Sequence, residues 1–143
     1  MILPDVNTLL YAVNRTSDQH AVALKALVRG FADPRGIGFA WTALLAFQRL
    51  STRRGIFPRP LSVEDALRVV EHWLGHPRAH VAHPGERHAE ILGRLLRSAG
   101  TAGNLTTDAH LAALAIEHGA TVLSFDRDFA RFPGLKWTNP LGA

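Results

Sequence analysis

The chain contains no cysteine, which excludes disulfides and removes thiolate from the possible metal ligands. Histidine and carboxylate are what remain for any metal. Lysine is almost as scarce, with Lys25 and Lys136 against fourteen arginines. A phosphoryl-transfer site built on a lysine is thereby hard to assemble, whereas guanidinium groups that grip phosphate through a bidentate fork are plentiful. No stretch approaches the ~18 uninterrupted apolar residues of a membrane helix. The start, Met1-Ile2-Leu3-Pro4-Asp5, lacks the basic flank and apolar span of a secretory signal. The expectation is a soluble, cytoplasmic protein with no membrane partner. Repeats, low-complexity tracts and long linkers are absent as well.

What is present is enough for one core. At 143 residues and 47% apolar composition the expected organisation is a single domain, residues 1–143. The formal charge of +4 fits a phosphate-bearing partner. An arginine-rich surface also follows from coding bias in the source, so charge alone leaves the partner open.

Short apolar runs predict strands at Ile2–Pro4, Ile37–Ala40, Ala79–Ala82, Thr121–Phe125 and Lys136–Thr138, with helical patterns in the gaps between them. Alternation of this kind predicts an α/β fold with a mostly parallel sheet covered by helices. Predicted helices cover Thr8–Val13, then a segment capped by Ser17-Asp18 and ended at Gly30, then Ala43–Arg54 before Gly55 and Pro58. Ser62 caps the next, which runs to Gly75. A fifth follows Pro84-Gly85, and Thr106 or Thr107 caps a sixth that closes on His118-Gly119.

Three aspartates occupy special places on this frame. Asp5 and Asp126 sit just past predicted strands, and Asp108 opens a helix after the small-residue loop Thr101-Ala102-Gly103-Asn104. Ligands of open α/β sheets bind outside the carboxyl ends of the strands, so these acids can cluster although they lie far apart in sequence. Each is also well placed to cap a helix, where a carboxylate contributes ~0.5–2 kcal/mol. The joint pattern favours a site. Two carboxylates ~4 Å apart repel by ~4 kcal/mol at an effective dielectric near 20, a cost that a divalent cation reverses, and all-oxygen ligation selects Mg²⁺ or Mn²⁺ over zinc. The candidate metal ligands are Asp5, Asp108 and Asp126, and the candidate catalytic set adds Asp128.

The stretch Asp5-Val6-Asn7-Thr8-Leu9-Leu10 resembles the opening of PIN-domain nucleases. The block from Gly103-Asn104-Leu105-Thr106-Thr107-Asp108 through Ser124-Phe125-Asp126-Arg127-Asp128-Phe129 resembles their C-terminal half, and Phe132-Pro133-Gly134-Leu135-Lys136-Trp137 continues it. The similarity is strongest to VapC-type toxins of bacterial toxin–antitoxin pairs. It implies a three-layer α/β/α PIN-like fold and a Mg²⁺-dependent endoribonuclease, with Mn²⁺ as a possible substitute. It also implies an RNA substrate, a VapB-type antitoxin and a homodimer. Members of the family carry a glutamate on the helix after the second strand, in a Glu-Phe-x-Arg setting. The matching residues here are Ala46-Phe47-Gln48-Arg49, and no acid lies between Asp33 and Glu64. That departure leaves a rival: a catalytically weak PIN-like module that binds RNA or protein.

Other patterns carry less. Asp5-Val6-Asn7-Thr8 lacks the second aspartate of the Asp-x-Asp-x-Thr phosphotransferase signature. His72 and His76 have zinc-compatible spacing on a helix, but Pro77 follows at once. His110 points away from Asp108 and reads as a packed or surface histidine. Trp41, Trp73 and Trp137 read as core or interface residues rather than a stacking platform. Arg53, Arg54 and Arg59, beside Gly55 and Pro58, are the best candidates for a phosphate-contacting loop.

Overall fold

The computed structural model describes every residue except 101, 102 and 143. Five three-residue strands form one parallel sheet: β1 (Ile2–Pro4), β2 (Ile37–Phe39), β3 (Ala79–Val81), β4 (Thr121–Leu123) and β5 (Lys136–Thr138). They stand in the order β3-β2-β1-β4-β5. Each predicted strand is present, β1 and β5 with the predicted bounds and β2, β3 and β4 shorter by one or two residues at the carboxyl end. Register places Ile2 beside Thr121 and Ile37, and Leu3 beside Val122. The Asp5 N–H donates to the Leu123 carbonyl at 3.1 Å, so by strand alternation the nitrogen of Pro4 faces β2 and has no proton to give. β1 and β2 accordingly pair only at Ile2, and the two strands are free to part above it.

The helices are α1 (Val6–Val13), α2 (His20–Ala32), α3 (Trp41–Thr52), α4 (Val63–Leu74), α5 (His88–Ala99) and α6 (Thr106–His118). Right-handed crossovers put α1 to α4 on one face of the sheet and α5 and α6 on the other. The packing agrees, since α1 meets α2 and α3, α3 meets α4, and α5 meets α6. Leu3, Phe39 and Val122 from the sheet join Leu9, Leu44, Phe47, Ile91, Leu95 and Leu114 from the helices in the buried core. Among the described residues no helix is long and apolar enough to cross a membrane.

Several helix ends differ from expectation, each for a local reason. α1 starts at Val6 rather than Thr8 because Asp5 already caps it. Gly30 does not end α2: it lies inside the helix, where a Cβ would collide with the Ile2 side chain. Its role is close approach of helix to sheet, and the helix runs on to Ala32. The predicted Ser17-Asp18 cap is not formed, since α2 begins after Gln19 without a side-chain bond and the Ser17 hydroxyl accepts the Gln19 N–H at 3.1 Å. Neither Thr106 nor Thr107 caps α6. A 3-10 turn over Gly103–Leu105 runs straight into it and leaves Leu105 at the cap. Thr101 and Ala102 of the predicted loop lie outside the described residues. The Ser62 cap is present, its hydroxyl accepting the Asp65 N–H at 3.0 Å. Gly119 takes the left-handed conformation, φ 65°, that a helix-terminating glycine supplies.

Candidate metal centre

The strand order reverses at β1, where the chain continues to β2 on one side and returns as β4 on the other. A crevice opens at the carboxyl ends of the strands on either side of such a point. Asp5 follows β1, and Ser124 and Asp126 follow β4. Asp108 is brought in by the first turn of α6. A cleft of about 70 Å³ is lined by Asp5, Asp108 and Asp126 together with Thr42, Ala43 and Ala46.

Asp5 is buried and fully engaged. One carboxylate oxygen accepts the Thr8 N–H at 2.9 Å and the other accepts the Ser124 hydroxyl at 2.5 Å. The Thr8 hydroxyl in turn donates to the Leu123 carbonyl at 3.1 Å, tying the start of α1 to β4. Ser124 also accepts the Asp126 N–H at 2.9 Å, so this one buried hydroxyl ties the Asp5 carboxylate to the Asp126 backbone. Burial pushes the Asp5 carboxyl above the usual range against the opposing pull of those donors, and the negative Asp126 adds to the rise.

Asp126 caps a short 3-10 turn, Arg127–Arg131, by accepting the Asp128 N–H at 2.8 Å through Oδ1. Asp108 differs from both. Its carboxylate accepts no hydrogen bond among the described residues, and burial followed by the charges of Asp126, Asp5 and Asp128 pushes its pKa up to about 6. Asp128 is exposed and does not line the cleft, although its charge reaches Asp108. The first three predicted site residues are therefore brought together, and the fourth stands at the rim of their field.

Among the described residues no three His, Asp or Glu side chains are gathered tightly enough to chelate an ion as they stand. The donor set nonetheless suits a hard divalent cation. Mg²⁺ keeps several of its waters and is held through one or two carboxylates, and here mutual repulsion leaves Asp108 short of exactly such a counter-charge. Ala46 lines the same cleft on α3, so this face of the helix looks onto the acids and presents a methyl group there.

Among the described residues no arginine or lysine lines this cleft; Arg53, Arg54 and Arg59 lie beyond the far end of α3. Ser124 and Thr8 went unrecognised in the sequence as supports of Asp5. The available signal was a hydroxyl closing the apolar run Val122-Leu123, immediately before Phe125-Asp126. Of the histidines singled out in the sequence, His72 is exposed, His76 accepts the Arg78 N–H at 3.1 Å with its ring tilted against Phe31, and His110 meets His88 at 2.9 Å between α5 and α6. Trp73 is buried against Phe39 and Phe47, Trp137 donates to the Ser124 carbonyl at 2.9 Å, and Trp41 is exposed.

Comparison with known proteins identifies the fold and the family. The PIN domain family matches residues 2–135. The chain is 50% identical over 140 residues to Ribonuclease VapC37 of Mycobacterium tuberculosis, covering 98% of this chain and 97% of that protein. It is 43% identical over 141 residues to Ribonuclease VapC33 of the same species, covering 99% of each. Among solved structures, VapBC-1 from nontypeable Haemophilus influenzae has the same fold, with a TM-score of 0.72 at 16% identity and 99% of each chain covered. Mycobacterium tuberculosis VapC20, described as a sarcin-ricin loop cleaving toxin, gives a TM-score of 0.66 at 17% identity, over 95% of this chain and 99% of that one. With its acids at the switch point of a five-stranded parallel sheet, the chain belongs to the PIN domain family and, within it, to the VapC ribonucleases.

Proposed function

We propose that the protein is a metal-dependent endoribonuclease and the toxin of a VapBC-type pair. Its substrate is RNA, its inhibitor a VapB-type antitoxin, and it acts in the cytoplasm as a homodimer. The observation that carries this reading is the convergence of Asp5, Asp108 and Asp126 on one cleft, with Asp108 pushed up to about 6 and left without a hydrogen-bond donor. Relatives named ribonucleases over nearly the whole chain support the reaction, and toxin–antitoxin complexes of the same fold support the partner.

Asp5, Asp108 and Asp126 would hold Mg²⁺, or Mn²⁺ in its place. Such an ion, when bound, lowers the pKa of a coordinated water and offsets charge that builds on the phosphoryl oxygens. The residues of the chain contribute orientation and charge. Ser124 ties the Asp5 carboxylate to the backbone N–H of Asp126, which keeps the two residues at the same end of the sheet, and their carboxylates would have to close in to receive the ion. Asp108 must be ionised to bind it, and its elevated pKa leaves it about half protonated near pH 6 in the absence of the ion. Asp128 adds negative potential at the rim and helps Asp126 position water. Ala43, Ala46 and Leu111 form an apolar wall that limits competing solvent.

RNA cleavage in Mg²⁺ against chelator, with Asp5→Asn and Asp108→Asn as controls, tests the proposal. Loss of cleavage in chelator and in both variants is expected, and metal-independent cleavage refutes it. One observation favours a second reading. Ala46 removes a carboxylate from the cleft wall, as a catalytically weak module that binds RNA or protein would allow. Folded protein that binds RNA and yet cuts none at high Mg²⁺ or Mn²⁺ would select that alternative.

A further inference from the structure

α1 and α3 both begin at the acidic cleft and pack together. A second cleft, of about 320 Å³, lies where they end, between the turn after α1 and the loop after α3. Val13, Arg15, Phe57, Pro58 and Arg59 line it. Both walls are firmly built. The Asn14 side chain accepts from the N–H and hydroxyl of Thr16 at 3.2 and 2.7 Å. In the loop, Phe57 is buried, Arg54 bridges to Phe57, and the Leu61 N–H donates to the Ser51 carbonyl at 2.8 Å.

Like other exposed arginines, among them Arg94 and Arg97, those at this cleft have no carboxylate partner among the described residues; what sets them apart is that they gather beside a groove with no acid in its described lining. Arg35, Arg68 and Arg87 are paired with Asp33, Asp65 and Glu90. Arg15, Arg53, Arg54 and Arg59 are all exposed, and none pairs with a carboxylate among the described residues. Asp18 is the one acid in either connection, because the chain has none between Asp33 and Glu64. Arg53 caps the carbonyl end of α3, where a cation also complements the helix dipole, but Arg59 lies on no helix and has no such duty. The acidic cleft repels phosphate and has no cation in its described lining. Something else must hold the strand.

We propose that this second cleft is an RNA-backbone contact site, in which Arg15 and Arg59, backed by Arg53 and Arg54, hold phosphates of the strand whose scissile bond lies at the acidic cleft. The inference rests on the nuclease reading above. The helix α1 spans roughly 12 Å, and Arg15 lies two residues past its end, so Asp5 and Arg15 stand on the order of 15 Å apart. A stacked strand covers that in about four to five nucleotides at ~3.4 Å each. Short RNAs therefore cannot engage both clefts, whereas longer ones can.

The test is fluorescence anisotropy with 5′-labelled oligouridylates of three and twelve nucleotides, in chelator so that nothing is cut, over a range of salt. For wild type the longer probe should bind more tightly and with a steeper salt dependence. Arg15→Ala with Arg59→Ala should reduce the slope of log K against log salt by about 1.4 for two lost phosphate contacts and weaken the longer probe on the order of tenfold at low salt. The gain from the short probe to the long one should shrink accordingly. Arg94→Ala with Arg97→Ala, exposed residues on α5, is the charge-matched control and should leave the slope in place. A wild-type slope in the first pair overturns the inference, and so does an equal loss in the control pair, which would mean diffuse charge. Failure of the nuclease reading is separable: arginine-dependent binding without cleavage in Mg²⁺ leaves this contact site standing and removes the reaction.

Discussion

Restoring the absent carboxylate by Ala46→Glu perturbs one wall of the acidic cleft and nothing else. Ala46 is half-buried on α3 and faces the space shared by Asp5, Asp108 and Asp126. A new carboxylate ~6 Å from another costs about 3 kcal/mol at an effective dielectric near 20. Protonation limits the penalty, since lifting a glutamate from ~4.3 to neutrality costs at most about 4 kcal/mol at 1.36 kcal/mol per pH unit. With screening by solvent at the cleft mouth, the expected loss in chelator at pH 7 is about 1–3 kcal/mol. For a chain of this size that is a melting temperature lower by roughly 3–10 °C. The same charge attracts a cation, so Mg²⁺ affinity by calorimetric titration should rise at least tenfold, about 1.4 kcal/mol. At pH 4, where the added group is protonated, the difference in chelator should largely disappear. Unchanged metal affinity together with unchanged melting in chelator would refute the reasoning and place residue 46 outside the site.

Three further outcomes follow from the same electrostatics. Asp108→Asn should stabilise the metal-free protein at pH 7 by about 1–2 kcal/mol, the rise from 3.8 to about 6 being worth ~3 kcal/mol before discounting for partial exposure; a lower melting temperature would refute this. The metal-free wild type should lose stability as pH rises from about 4 to 6, because over that window the folded state holds a proton on Asp108 that the unfolded state has released, so stability is fully present below the unfolded pKa and lost through the folded one. Asp108→Asn should remove that residue's share of the slope, leaving the part Asp5 contributes, and saturating Mg²⁺ should mask it, as melting curves across pH would register. Ser124→Ala leaves one oxygen of the Asp5 carboxylate and the Asp126 N–H without their partner, while the Thr8 N–H still reaches the other oxygen, and should cost about 1–3 kcal/mol while weakening Mg²⁺ binding; Ser124→Thr, which keeps the hydroxyl, should recover metal affinity.

Where the sequence speaks through local pattern, it is readable. All five strands lie on short apolar runs, and the alternation with helices predicts the parallel sheet that is found. Asp5, Asp108 and Asp126 stood out because strand ends and helix starts are themselves local features. What stayed hidden depends on tertiary contact. Gly30 reads as a helix stop until the Ile2 side chain is seen pressed against it. Ser124 reads as the tail of a strand until its hydroxyl meets Asp5 from across β1 and β4. The basic cleft was half visible: Arg53, Arg54 and Arg59 share one loop, but Arg15 joins them only because α1 and α3 run side by side.

Capping and ligation are competing accounts of these acids, and magnitude separates them. Asp5 caps α1 and Asp126 caps a 3-10 turn, so each has a structural task that would explain it with no metal at all. Asp108 does not have one. As a first-turn acid of α6 it gains at most about 0.3–1 kcal/mol from the helix dipole. Against that stands the discounted cost of about 1–2 kcal/mol implied by its elevated pKa. Its carboxylate accepts no hydrogen bond among the described residues, so no cap offsets the difference. A side chain that lowers the stability of the empty protein and, among the described residues, completes no local motif is what the proposed cation site would explain. Asp108 is therefore the residue on which the metal assignment turns, and its behaviour in chelator tests the assignment independently of any cleavage assay.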